Sequence, residues 1–155
     1  SQRLVDAIID WFDYDPVDGM LIRKKKTRSD AFDQVNYNGT VFFQGRWYPY
    51  AVLCWVVHYK IFPSGWIDHK DRIRANNVIT NLRNVTPTQN QQNKAGYGSY
   101  SKGVTWRDRL MNPWQAKIRV DGVRLHLGSF ATEEEAAEAY RQAAMKYHGE
   151  FACPT

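Results

Sequence analysis

The chain has 155 residues, 43% of them apolar and 14% aromatic, enough for one or two small cores and enough to exclude a wholly disordered chain. Its 21 Lys+Arg exceed 16 Asp+Glu, a formal charge of +5, which favours a polyanionic partner. Cys54 and Cys153 lie far apart with no Cys-x-x-Cys, so a disulfide framework and a thiolate zinc site are both excluded.

In chain order, Leu4, Val5, Ile8, Trp11 and Phe12 recur at helical spacing and predict a short amphipathic helix over residues 2–12. The stretch Asp15-Pro16-Val17-Asp18-Gly19 stops it as a turn, and Met20 to Arg23 is a candidate strand. The run Lys24-Lys25-Lys26 is either a solvated loop or a phosphate contact. Asn38-Gly39, between Val35 and the Val41-Phe42-Phe43 run, predicts a hairpin. Ala51 to Tyr59 is apolar nearly all round and predicts a buried helix, with His58 a core or interface histidine. The longest apolar run, Tyr50 to Val57, is far too short to cross a bilayer, and with the Ser-Gln-Arg opening this predicts a soluble intracellular protein.

Charge divides along the chain. Residues 1–18 carry five Asp and one Arg, whereas residues 19–95 carry 12 Lys+Arg against four Asp. Glutamate is absent from residues 1–95, and the remaining 60 residues hold five. The Gly- and Ser-rich stretch Lys94 to Ser101 between these regions reads as a linker.

The chemistry concentrates between Trp66 and Asn93. Ile67 and Val85 can sit on two strands joined by the polar loop 70–84, with Pro87 or Thr88 opening a helix. On a strand-loop-strand-helix of this kind Asp68, His69 and Asn90 can converge, with Asn81 tying the two sides together. A carboxylate and an amide carbonyl are oxygen donors for a hard divalent cation, and a neutral histidine beside them can take a proton from attacking water. Such a set suits phosphodiester hydrolysis.

Asp-His followed by Asn 12 residues and again 21 residues after the histidine resembles the HNH (ββα-metal) nuclease motif, in the version ending in Asn. Phe12-Asp-Tyr-Asp-Pro16, Gly19, Trp55, His58-Tyr59 and Asn81-Leu82-Arg83 extend the resemblance to phage-encoded HNH endonucleases of the free-standing homing type. The resemblance implies His69 as general base, Asp68 and Asn90 as metal ligands, and Asn81 as the residue that orients His69 or bridges the strands. It implies Mg²⁺, Mn²⁺ or another divalent cation as cofactor, and double-stranded DNA as partner. This chain has Ala51-Val52 where the family commonly has His-Arg, and Arg72 where it has Gly; Arg72 and Arg74 become candidate phosphate contacts.

Toward the C-terminus, Trp114 to Val120 and Val123 to Leu127 alternate as strands around Asp121-Gly122, and Gly103 to Arg107 is a third candidate. Thr132-Glu-Glu-Glu135 is a capping box before a helix that runs to Gly149, where His148 caps it electrostatically. Residues 102–126 carry six Lys+Arg against two Asp, while residues 131–150 carry five Glu against two basic groups, so sheet and helix bear opposite signs. Gly103-Val104, Trp114 to Arg119, Leu127 to Phe130, Glu135 to Tyr140 and His148-Gly149 resemble the AP2 DNA-binding domain, which implies DNA contacts from Arg107, Lys117, Arg119, Arg124 and His126.

The expectation is therefore an α+β protein. An HNH ββα-metal nuclease domain at 1–95, with its catalytic core at about 64–95, precedes a linker at 96–101 and an AP2-like three-stranded antiparallel sheet packed on one helix at 102–155. It is expected to cut double-stranded DNA as a phage homing endonuclease in the cytoplasm of a bacterial host, without membrane or small-molecule cofactor. Monomer and DNA-bound dimer stay open. The rival readings are a DNA-binding protein with a silent HNH domain and a non-specific nuclease.

Overall fold

The helical spacing at the N-terminus is realised as α1 (Gln2–Trp11), which turns Val5 and Ile8 inward. The computed structural model describes residues 2–25, 39–96, 98–108 and 110–153; Lys26 and Asn38 fall outside them. The chain divides into two units, Ser1–Pro87 and Thr88–Thr155.

In the first unit α1 leads directly into β1 (Phe12–Asp15), paired antiparallel with β2 (Met20–Arg23). Phe12 and Tyr14 face the core while Asp13 faces out, an alternation that the flanking aspartates conceal. Between the strands the expected turn forms, with the Asp15 carboxylate accepting from the Val17 N–H at 2.8 Å and Gly19 at φ 70°.

A second hairpin joins β3 (Thr40–Phe43) to β4 (Arg46–Pro49). It turns at Gln44-Gly45, both at positive φ, as a two-residue turn of this hand requires. The hairpin expected at Asn38-Gly39 lies partly outside the described residues. Pro49 passes straight into α2 (Tyr50–Tyr59), which buries Ala51, Leu53, Cys54 and Val56 and ends at Lys60 in the left-handed region. Val5, Ile8, Phe12, Val41, Phe43, Leu53 and Val56 form the core under this unit; each aliphatic side chain fully withdrawn from water contributes about 1.5–3 kcal/mol. A smaller cluster of Tyr14, Ala51, Cys54 and Leu82 carries that packing to the strands of the site. Those strands are β5 (Trp66–His69) and β6 (Leu82–Val85), antiparallel, with Asp68 opposite Arg83 and His69 opposite Leu82. Cys54 and Cys153 are both buried and form no disulfide, and desolvation pushes the Cys54 thiol up to about 12.

The helix α3 (Pro87–Asn93) opens on the last residue of the first unit and otherwise belongs to the second. There β7 (Val104–Trp106), β8 (Trp114–Val120) and β9 (Val123–Phe130) form an antiparallel sheet in that order. β9 runs three residues beyond the expected Leu127, because a bulge opposite Ala116 and Lys117 restores its register. The sheet packs on α4 (Glu133–His148), whose Ala136, Tyr140, Ala143 and Ala144 face Ala116 and Ile118. The capping box is present: Thr132 Oγ1 accepts from the Glu135 N–H at 3.2 Å, and Glu135 Oε2 accepts from the Thr132 N–H at 3.3 Å. Gly103, at φ 75°, lets the chain pass under Tyr140, whose ring would lie 2.1 Å from a Cβ there. Among the described residues no helix is long and apolar enough to cross a membrane.

Candidate active site and a basic sheet face

Alternation along β5 buries Asp68 and leaves His69 half-exposed at the strand end. Cross-strand register then sets Arg83 against Asp68: its Nε and Nη2 each lie 2.9 Å from Asp68 Oδ2, with both side chains about 10% exposed. A carboxylate so far out of water needs such a partner. Residue spacing alone does not point to Arg83, because its role depends on register.

Asn77 is equally hidden from spacing. Its Oδ1 lies 3.1 Å from His69 Nε2. Asn81 fastens the loop: its Nδ2 donates to Asp71 Oδ1 at 3.0 Å and to the Asn76 carbonyl at 2.7 Å, and its Oδ1 accepts from the Asp71 N–H at 3.1 Å. Lys70 N–H donates to the Asn81 carbonyl at 2.9 Å, closing the neck of the loop. Desolvation would raise the Asp71 carboxyl, but hydrogen bonds from Ile73, Asn76 and Asn81 and the nearby His69 outweigh it and hold the group below its ordinary value.

Arg72 and Arg74 are exposed on this loop, and Arg72 adopts φ 66°. Asn90 lies half-buried on α3, and Asn93 is buried. Among the described residues no three His, Cys, Asp or Glu side chains cluster to hold a metal. The Asp68 carboxylate on β5 is the kind of oxygen donor that a hard ion such as Mg²⁺ takes, its shell being completed by water and substrate phosphate.

Two other histidines differ from expectation. His58 is exposed at the end of α2, edge-on to Tyr14 and Tyr59, since the helix turns its last residues out of the core. His148 is buried, with Nε2 3.0 Å from the Arg119 carbonyl; it ties helix to sheet and does more than complement the helix dipole.

In the second unit, cross-strand pairing sets Lys117 opposite His126, Arg119 opposite Arg124, and Gln115 between Thr105 and Ser129. Paired residues share a face, so these form one polar surface opposite the α4 side. Arg107 follows β7 directly and is exposed. Arg119 against Arg124 is a like-charge pair, which costs stability unless an anion is present.

Residues 52–92 match the model of a family described as HNH endonuclease. That stretch holds Asp68, His69, Asn81 and Asn90, so the similarity to HNH endonucleases falls on the candidate site and points to the nuclease class. A protein of Acanthamoeba polyphaga mimivirus named as an uncharacterized HNH endonuclease is 36% identical over 99 residues, 64% of this chain and 51% of that protein. An AP2-like ethylene-responsive transcription factor of Arabidopsis thaliana is 57% identical over 53 residues, 33% of this chain and 10% of its own length. One from Oryza sativa subsp. japonica is 53% identical over 53 residues, 33% of this chain and 8% of its own. The chain thus spans about half the length of the viral relative and a tenth or less of these plant proteins. No solved structure matches it.

Proposed function

We propose that this chain is a divalent-metal-dependent endonuclease that hydrolyses phosphodiester bonds in double-stranded DNA and docks through the basic sheet face of its second unit. The observation that carries the reading is Asp68 beside His69 on β5, inside the stretch that matches the HNH model. In this reading Asp68 and Asn90 hold Mg²⁺ or Mn²⁺, which when bound supplies positive charge against that developing on the phosphate and leaving oxygen. His69 takes the proton of the attacking water. The water oxygen bonds to phosphorus, the bond to O3′ breaks, and a 3′-hydroxyl and a 5′-phosphate result. Arg72, Arg74, Arg107, Lys117, Arg119, Arg124 and His126 contact the DNA. Likeness of Phe12 to Pro16 and Gly19 to the phage homing pattern supports a phage-borne homing role in a bacterial cytoplasm.

The test is supercoiled plasmid incubated with purified protein in Mg²⁺ and in EDTA, beside His69→Ala. Nicks or breaks are expected only for the native protein in Mg²⁺, with DNA affinity of the variant within about threefold, because a general base acts on the barrier more than on binding. A second reading, a DNA-binding protein with a silent nuclease unit, is favoured by the Arg83 guanidinium that already neutralises Asp68. Tight binding with no cleavage in either condition would establish it instead.

A further inference from the structure

We infer that Asn77, clamped from behind by the N-terminal hairpin, is the positioning residue that holds the His69 ring; the inference rests on reading His69 as the proton acceptor. The Asn77 side chain is buried, and its Nδ2 donates to the Ala75 carbonyl at 3.2 Å. A carbonyl can only accept, so the amide is fixed with Nδ2 toward Ala75 and Oδ1 toward the imidazole. Oδ1 also only accepts, so at the 3.1 Å contact the ring must donate from Nε2. The neutral ring then carries its proton on Nε2 and its basic lone pair on Nδ1, and a proton acceptor needs that assignment held steady.

Asn77 is braced by residues distant in sequence. The Tyr14 hydroxyl donates to the Asn77 carbonyl at 2.6 Å, and the Ile79 N–H reaches the Pro16 carbonyl at 3.4 Å. Burial first, then Cys54 and Asp15, push the Tyr14 phenol up, so it remains a donor at any working pH. Gly19 completes the clamp: a Cβ there would lie 2.5 Å from the Val78 nitrogen and 2.6 Å from the Asn77 carbonyl carbon. Only glycine lets the β1–β2 turn press on the Asn77–Val78 peptide this closely. The Phe12 to Pro16 segment and Gly19 carry no chemistry themselves, yet they set the depth at which Asn77 meets His69.

Ring N–H signals of histidine in the full-length, ¹⁵N-labelled, metal-free protein test this, with His69→Ala assigning the His69 resonance. The native protein should show a His69 Nε2–H protected from exchange with water. Asn77→Ala should lose it, and kcat for plasmid cleavage should fall about 10- to 100-fold with KM within about twofold. Tyr14→Phe, which removes a single oxygen and spares the core, should speed exchange of the same proton. The proposal is overturned if the native ring carries its proton on Nδ1, or if the protected signal survives in Asn77→Ala. A native protein that shows the protected proton yet cuts nothing in Mg²⁺ would uphold the clamp and refute the nuclease reading.

Discussion

Arg72 shows how one residue exchanges stability for charge. Directly after β5 its N–H donates to the His69 carbonyl at 3.0 Å and its backbone sits at φ 66°, a region that costs an L side chain about 1–2 kcal/mol and costs glycine nothing comparable. Sequence resemblance places Gly here, and the backbone supplies the reason. An exposed guanidinium on the loop that follows His69 justifies the strain if it meets a phosphate. Arg72→Gly is therefore expected to raise the melting temperature of the first unit by about 4–8 °C, the equivalent of roughly 1 kcal/mol, while lowering the slope of DNA affinity against salt by about one unit. Thermal melts and salt-titrated binding check the two halves separately; a lower melting temperature would mean that side-chain contacts of Arg72 outweigh the strain. The site is legible in the sequence only where the chain itself fixes positions. Asp68 and His69 are neighbours, and the intervals to Asn81 and Asn90 are covalent lengths. Asn77 and Arg83 are not legible, because one acts through a folded loop and the other through strand register.

At the level of elements, the same division recurs. α2 and α4 declare themselves through apolar periodicity and, for α4, the capping box. β1 hides under alternating aspartates, and β9 hides its last residues behind a bulge that no alternation rule carries across. Gly103 is the point where sheet and helix meet most tightly. A Cβ there would lie 2.1 Å from the Tyr140 ring and 2.7 Å from the Lys117 carbonyl, at a φ of 75°. Gly103→Ala adds overpacking to backbone strain and is expected to destabilise the second unit by about 2–4 kcal/mol. Gly122→Ala, at φ 83° with nothing within 4 Å, meets only the strain and should cost about 1–2 kcal/mol. Urea titration of the two variants side by side measures the difference; equal costs would mean that Tyr140 moves aside freely.

For the molecule as a whole, the modest charge of +5 matters less than where it is placed. Acidic groups gather on α4, with Glu133, Glu134 and Glu135 in its first turn, where the helix dipole welcomes them. Basic groups gather on the strands, and the register sets Arg119 directly against Arg124. In the free protein that pair is repulsive, so removing one member should leave stability unchanged or raise it by about 0.2–1 kcal/mol. With DNA bound, each arginine that meets a phosphate contributes to counterion release, and its loss should lower the slope of log affinity against log salt by about one. Arg119→Ala and Arg124→Ala are thus expected to be at least as stable as the native chain and weaker in binding, with the deficit shrinking as salt rises. The combination separates a docking face from a structural one, because a structural arginine would lose stability and leave the slope intact. A full salt slope in both variants would place the DNA elsewhere and leave the Arg119–Arg124 repulsion without a function to offset it.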